Sequence, residues 1–307
     1  MRRLKILTWH THGGYLRYLT QAPHDFYVLS RPGRPPGYAG RSGQPPWGPN
    51  VHDLPAEQAR RARFDLILFQ DDPQYLDDQY ELLTPAQRRL PKIYLEHDPP
   101  REHPVDSRHP VAGRDVLVVH CTHFNRLMWD NGAAPTRVVE HGVIDPGYLY
   151  TGELERGLVV VDDIARAGRR LGLDLYEEIY RKVKLDLVLH AERPAFAARY
   201  RFLFNPIRYA SLGLALLEAM MAGLPVVALA TTETATVVKD GLNGFSDTNP
   251  DALVENMRTL MKDRDLAEAL GLEARRTALG RFGIERFVAD WNQAFAEVLG
   301  ERRERAA

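Results

Sequence analysis

Residues 202–245 read FLFNPIRYASLGLALLEAMMAGLPVVALATTETATVVKDGLNGF. The apolar run 202–204 breaks at Asn205-Pro206 into a loop, which delivers Gly213 and then an apolar helix carrying one acid, Glu218. Gly223 ends that helix, and Pro225 opens a β-rich run over 226–230. Strand, glycine-containing turn, helix and strand make a βαβ unit, which has to pack into a parallel sheet. The helix start at Gly213 and Leu214 presents unpaired N–H groups and a partial positive charge, suited to an anion such as a phosphate.

The segment GLALLEAMMAGLPVVA, followed by VVKDGLNGF, resembles the donor-site signature of the GT-B glycosyltransferases of the large retaining family 4. In that family an acid, seven residues and a second acid surround the helix start, and a G-x-P-V-V strand and an E-x-G-x-x-G-[FL] segment follow. Glu218 falls on the second acid, to which the resemblance assigns a ribose contact. The position of the first acid, which the family uses to hold the transferred sugar, is Ala210.

The composition bounds the rest. A chain of 307 residues can bury two Rossmann-sized cores. With 40 Lys and Arg against 41 Asp and Glu, its formal charge of −1 does not suit a nucleic-acid binder or a polybasic membrane protein. The single cysteine, Cys121, forbids an intramolecular disulfide or a thiolate metal cluster, which fits a reducing compartment. The opening MRRLKILTWHTHGG has too short an apolar run for a signal peptide or a membrane span. These features predict a cytoplasmic protein, with peripheral contact at the inner membrane surface left open.

Taken in order, the chain alternates apolar runs with helical stretches. The run 4–9 enters His10-Thr11-His12-Gly13-Gly14 and a helix near Tyr15; such a glycine turn lets backbone N–H groups approach a phosphate closely. The plain alternative for Gly13 and Gly14 is a tight turn with no ligand. The stretch 32–50 holds too many Pro and Gly for a regular element. It reads as an acceptor-side loop with Trp47 as a sugar-stacking candidate, or as a surface loop without a ligand. Runs at 26–30, 64–70, 91–96, 116–120 and 137–143 complete the first set of strands. His97 stands just past the carboxyl end of one of them, where α/β proteins bind ligands. By resemblance, His97 approaches the donor sugar and its diphosphate; the alternative is a histidine capping the next element.

A second domain begins near Pro146, with strands at 158–161 and 184–190. Here the family carries a G-R-L-x-x-x-K-G loop for the diphosphate. Asp163 takes the place of its arginine, so Arg169 and Arg170 are the predicted phosphate contacts, with Arg166 behind them. The alternative is a solvated basic helix start. The connection 191–200 is short for the family, which loosens the expected base selectivity. Helices are expected at 251–260, 266–279 and 281–299. The last places Phe287, Trp291 and Phe295 on one face, a core stripe, and the charged tail from Glu301 is expected to fray.

Together these readings predict an α/β protein of GT-B type. Two Rossmann-like domains face each other across a cleft: an acceptor-side domain at 1–145 and a donor domain at 146–280. A helix at 281–307 crosses back to the first domain. The resemblance implies transfer of a sugar from a nucleotide-diphosphate donor, UDP or GDP type, to a carbohydrate or other hydroxyl acceptor, with retention and without a metal. His97 and Glu218 are the catalytic candidates. Gly13, Gly14, Arg169, Arg170, Gly213, Leu214 and Glu218 are the donor-binding ones. Asp71-Asp72 and Asp77-Asp78 read as solvated faces rather than a metal-binding Asp-x-Asp. The competing reading is an impaired GT-B protein that binds a nucleotide sugar or glycan, motivated by Ala210, Asp163 and the short connection. An epimerase or a phosphorylase is disfavoured, lacking extra acids and a pyridoxal-phosphate lysine respectively.

Overall fold

The computed structural model describes residues 2–43, 47–188 and 194–305, with side chains to 300. The chain forms two compact units, Met1–Gly142 with Ile284–Ala307, and Val143–Gly283.

Unit 1 runs β1 (Lys5–Thr8), α1 (Gly13–Leu19), β2 (Asp25–Ser30), β3 (Val51–Pro55), β4 (Leu66–Phe69), α2 (Gln79–Leu82), β5 (Lys92–Glu96), β6 (Leu117–His120), α3 (His123–Met128) and β7 (Thr136–Val138). Its seven strands lie in the order β3-β2-β1-β4-β5-β6-β7, every pair parallel. β4 and β6 are buried along their whole length, as strands covered on both faces must be. The order reverses between β1 and β4, so the ends of these two strands border the crevice of a doubly wound sheet.

Two expectations shift here. β3 was not visible in the sequence: Val51-His52-Asp53-Leu54-Pro55 has little apolar character, and it survives as an edge strand that ends in proline. The run 137–143 pairs only as Thr136–Val138 before leaving the sheet. Gly13 and Gly14 are the first two residues of α1, not a loop ahead of it.

Unit 2 runs β8 (Leu154–Val160), α4 (Ile164–Ala167), α5 (Leu173–Tyr180), β9 (Leu185–Val188), α6 (Pro194–Ala197), β10 (Tyr200–Asn205), α7 (Leu214–Met221), β11 (Val226–Leu229), α8 (Thr234–Val237), β12 (Gly244–Asp247), α9 (Pro250–Lys262) and α10 (Arg264–Phe282). Its all-parallel sheet has the order β12-β11-β10-β8-β9, with the switch between β8 and β10. β10, fully buried, is its centre. Gly223 ends the α7 segment at φ 92°, a left-handed conformation open to glycine. The expected strand 184–190 is β9 up to Val188; residues 189–193 lie outside the described residues.

The last helix, α11 (Ile284–Arg305), belongs to unit 1. It starts at Ile284 rather than residue 281, because α10 continues to Phe282 and Gly283 is extended, bridging Val143. Its helical bounds run to Arg305. Phe287, Trp291 and Phe295 are buried as their spacing predicts. Trp291 Nε1 donates to Tyr15 Oη at 3.1 Å, His24 Nε2 meets Asn292 Oδ1 at 2.9 Å, and Arg137 pairs with Glu297 at 2.8 Å.

Candidate functional site

At the switch point of unit 2 the loops after β8 and β10 are tied together. Arg208 and Tyr209 donate their backbone N–H groups to Arg170 O at 3.1 and 3.2 Å, and Arg170 Nη1 reaches Tyr209 O at 3.4 Å. Gly172 permits this closeness: its φ is 86°, and a Cβ there would lie 2.2 Å from Pro206 O. Asp174 collects two cations, Arg169 Nη1 at 2.5 Å and both Arg208 nitrogens at 2.5 and 3.1 Å. The hydrogen bond from Arg208 is the main reason its carboxyl titrates below the usual range. Arg166 pairs instead with Asp163, which sits in a left-handed conformation.

Beyond this knot, the β10 loop carries the half-buried Ala210 to Gly213 and α7. Gly213 has φ −75°, which any residue adopts, and no atom lies within 4 Å of where a Cβ would stand. Neither backbone strain nor protein packing therefore requires glycine at this helix start. Glu218, half-buried on the second turn of α7, is five residues beyond Gly213.

In unit 1 the imidazole of His97 follows β5. Gln70 Nε2 donates to Thr8 Oγ1 and Trp9 O at 2.9 and 2.8 Å, so its Oε1 is the acceptor that faces His97 Nε2 at 3.2 Å. The proton therefore sits on Nε2, and Nδ1 faces the buried thiol of Cys121 at 3.9 Å. Burial, and then the neighbouring His12 and His141, hold the ring well below the usual histidine range, so it is neutral. The His12 ring lies 4.0 Å from it and the Tyr15 ring 5.0 Å. The main chain of the same segment is anchored by Asn125 Nδ2 on His97 O and Trp129 Nε1 on Asp98 O, at 3.0 and 2.9 Å. Glu96 is braced by the Asp98 N–H and by His109, whose Nδ1 accepts from Val111 N–H and whose Nε2 therefore donates to the carboxylate.

Residues 190–277 match the family Glycosyl transferases group 1, and this segment holds β10, α7, β11 and Glu218. No curated protein matches the chain. Among solved structures, sucrose-phosphate synthase from Thermosynechococcus elongatus is 15% identical, with a TM-score of 0.68, over 98% of this chain and 100% of its own. HepE of Anabaena, solved with UDP and glucose, is 14% identical with a TM-score of 0.69, over 96% and 100%. AviGT4, a glycosyltransferase involved in avilamycin A biosynthesis, is 14% identical with a TM-score of 0.63, over 97% and 98%.

The fold is GT-B. In this GT-B chain the predicted residues fall into two sets. Arg169, Arg170, Gly213, Leu214 and Glu218 lie on the loops and helix at the unit 2 switch point. Gly13, Gly14 and His97 lie at the carboxyl ends of β1 and β5 in unit 1. Arg208 and Asp174 went unread because their partnership spans 34 positions. Asp71, Asp72 and Asp77 are exposed, as their reading as solvated faces expects, and Asp78 is half-buried; Asp72 accepts from Tyr94 Oη at 2.5 Å, and Asp71 and Asp78 line a cavity with Trp9 and Tyr38. No group of acids, histidines and cysteines among the described residues is arranged to hold a metal, and no described helix is long and apolar enough to cross a membrane.

Proposed function

We propose that this protein transfers a sugar from a nucleotide-diphosphate donor to a hydroxyl acceptor, with retention of configuration and without a metal. One coincidence carries the reading. The segment that matches the glycosyltransferase group 1 family contains a helix start whose glycine no feature of the protein requires, with a carboxylate one turn in. A glycine of that kind leaves room for a phosphate at the positive end of α7. Glu218 would take the ribose diol through its two oxygens. Arg169 and Arg170 would neutralise the diphosphate as the glycosidic bond breaks, joined by Arg208, which Asp174 holds beside Arg169. Gly13 and Gly14, at the start of α1, are the unit 1 candidates for a backbone contact with phosphate.

His97 and Glu218 are the catalytic candidates. Front-face attack, in which the leaving phosphate helps deprotonate the acceptor, demands no protein nucleophile, so Ala210 lowers sugar discrimination without removing the chemistry. A neutral His97, with its proton on Nε2, suits a hydrogen bond to a sugar hydroxyl better than a charge on the diphosphate. HepE and its UDP-glucose complex make UDP the first donor nucleotide to try.

The test is a thermal-shift screen of UDP, GDP, ADP and dTDP on the wild type and on Glu218→Ala. A midpoint rise with one nucleotide, lost in Glu218→Ala, is expected, since a ligand of the folded state stabilises by mass action. Donor turnover unchanged by a chelator, giving a product of the donor's anomeric configuration, completes the reading. No shift with any nucleotide sinks it.

A further inference from the structure

Three non-glycine residues among those described have a positive φ: Arg34, Asp163 and Thr232. Two of them stand past the carboxyl ends of the strands on either side of β10, Asp163 after β8 and Thr232 after β11. Aspartate tolerates this left-handed conformation, but threonine does not: at φ 48° the branched Cβ of Thr232 crowds its own backbone.

The residues on both sides hold Thr232 there. Thr231 Oγ1 donates to Ile207 O at 2.7 Å, which ties the loop after β11 to the loop after β10. Glu233 is buried and accepts from Thr236 Oγ1 at 2.7 Å and from Arg281 Nη2 of α10 at 3.1 Å. Between these two clamps a glycine would take up the same backbone without crowding. The threonine side chain returns nothing to the fold by hydrogen bonding. Thr232 is half-buried, and among the described residues its hydroxyl meets no hydrogen-bond partner, nor is it closed off from solvent.

Strain that the surroundings impose without a structural return collects at ligand sites. The crevice outside the carboxyl ends of β8, β10 and β11 is where a doubly wound sheet binds its ligand. On the β10 loop, Ala210 lies three residues past the Ile207 carbonyl that Thr231 holds, and its methyl group has nothing to give a sugar hydroxyl. We infer that Thr232 is a specificity residue of the donor site, its hydroxyl exchanging a hydrogen bond with a hydroxyl of the transferred sugar in place of the absent acid. The inference rests on the transferase reading and deepens it: Glu218 takes the nucleotide half of the donor, and Thr232 the sugar half.

The test measures the affinities of UDP and UDP-glucose, and of GDP and GDP-mannose, by calorimetric titration of the full chain as wild type, Thr232→Val, Thr232→Gly and Thr232→Ser. In the wild type one sugar nucleotide should bind more tightly than its parent nucleotide. Thr232→Val keeps the shape and the strain without the hydroxyl. It should lose about fivefold in affinity for that sugar nucleotide, as for one hydrogen bond between neutral groups, and bind the parent nucleotide unchanged. A merely structural role would move both ligands together. Thr232→Gly should show the same loss, with an unfolding midpoint no lower than the wild type's because the crowding is gone. Thr232→Ser should keep the wild-type ratio. Three outcomes overturn the inference: Thr232→Val binding the sugar nucleotide as the wild type does, no advantage of either sugar nucleotide over its parent in the wild type, or a lowered midpoint in Thr232→Gly, since threonine would then be serving the fold. Each of these leaves the transferase reading standing while a nucleotide binds. No binding of any of the four ligands sinks that reading, and this one with it.

Discussion

Arg208 grips Asp174 with two prongs, Nη1 to Oδ1 at 2.5 Å and Nη2 to Oδ2 at 3.1 Å, and Arg169 shares the same carboxylate at 2.5 Å. Asp174 thus holds two guanidinium groups together at the β8–β10 switch, against their mutual repulsion. Because the pair is about a third exposed, Arg208→Ala should cost only about 1 kcal/mol of stability. Under the proposed function it should weaken nucleotide binding far more, by about tenfold or above. Denaturant melts and nucleotide titration on the one variant separate the two effects; equal nucleotide affinity would remove Arg208 from the donor site.

Ala210 sits where the resemblance places an acid that holds the transferred sugar. Ala210→Glu is expected to raise donor hydrolysis or transfer by about tenfold, the worth of one hydrogen bond to a charged group. The position is half-buried on a loop, so the longer side chain can be accommodated. An unchanged rate with the nucleotide still bound would show that the missing acid does not limit this protein.

Three histidines of unit 1, His24, His97 and His120, titrate below the usual 6.5, each chiefly because burial disfavours the cation; His120 falls to about 4. The unfolded chain therefore binds more protons than the folded one once the pH drops under 6.5. Their contribution is complete above that value and is lost as the pH falls toward the folded-state values, at most about 1.4 kcal/mol per pH unit for each histidine. Glu96, raised by burial, acts in the opposite sense closer to its own range. Thermal melts should show unit 1 weakening between neutral pH and about pH 5, with a shallower slope in His120→Gln. A flat profile would mean that these rings are hydrated.

Two glycines on α10 should respond to alanine with opposite signs. At Gly271 a Cβ would stand 2.0 Å from Gly223 O and 3.2 Å from Pro225 Cδ, so Gly271→Ala must push α10 away from the α7–β11 turn, at a cost of about 2 kcal/mol. Gly280 is exposed with open space around it, and Gly280→Ala should stabilise by about 0.5–1 kcal/mol through helix propensity alone. Urea midpoints of the two variants check the pair.

The βαβ unit at β10–α7–β11 was legible because its signals are local: an apolar run, a glycine, one acid and a helix stop within a short span. Most other strands announced themselves as apolar runs for the same reason. β3 did not, since an edge strand needs one buried face only in part and Val51–Pro55 draws its place from pairing with β2. The ion-pair knot around Asp174 and the cavity wall of Trp9, Tyr38, Asp71 and Asp78 were illegible for a different reason. Their members come from separate βα loops, and their chemistry arises only when the switch points bring those loops together. Asp78 shows the limit most plainly: charged and half-buried, it looks like a solvent-facing residue until Tyr38, far earlier in the chain, is seen beside it.

α11 gives the chain an order of assembly. Unit 2 is one uninterrupted stretch, Val143–Gly283, and can close as soon as it leaves the ribosome. Unit 1 is interrupted by unit 2, so until α11 is made Tyr15 and His24 lack the Trp291 and Asn292 that complete them. The unit that starts first is therefore the one that matures second, and its apolar seam along α1 must be kept from other partners until α11 has been made.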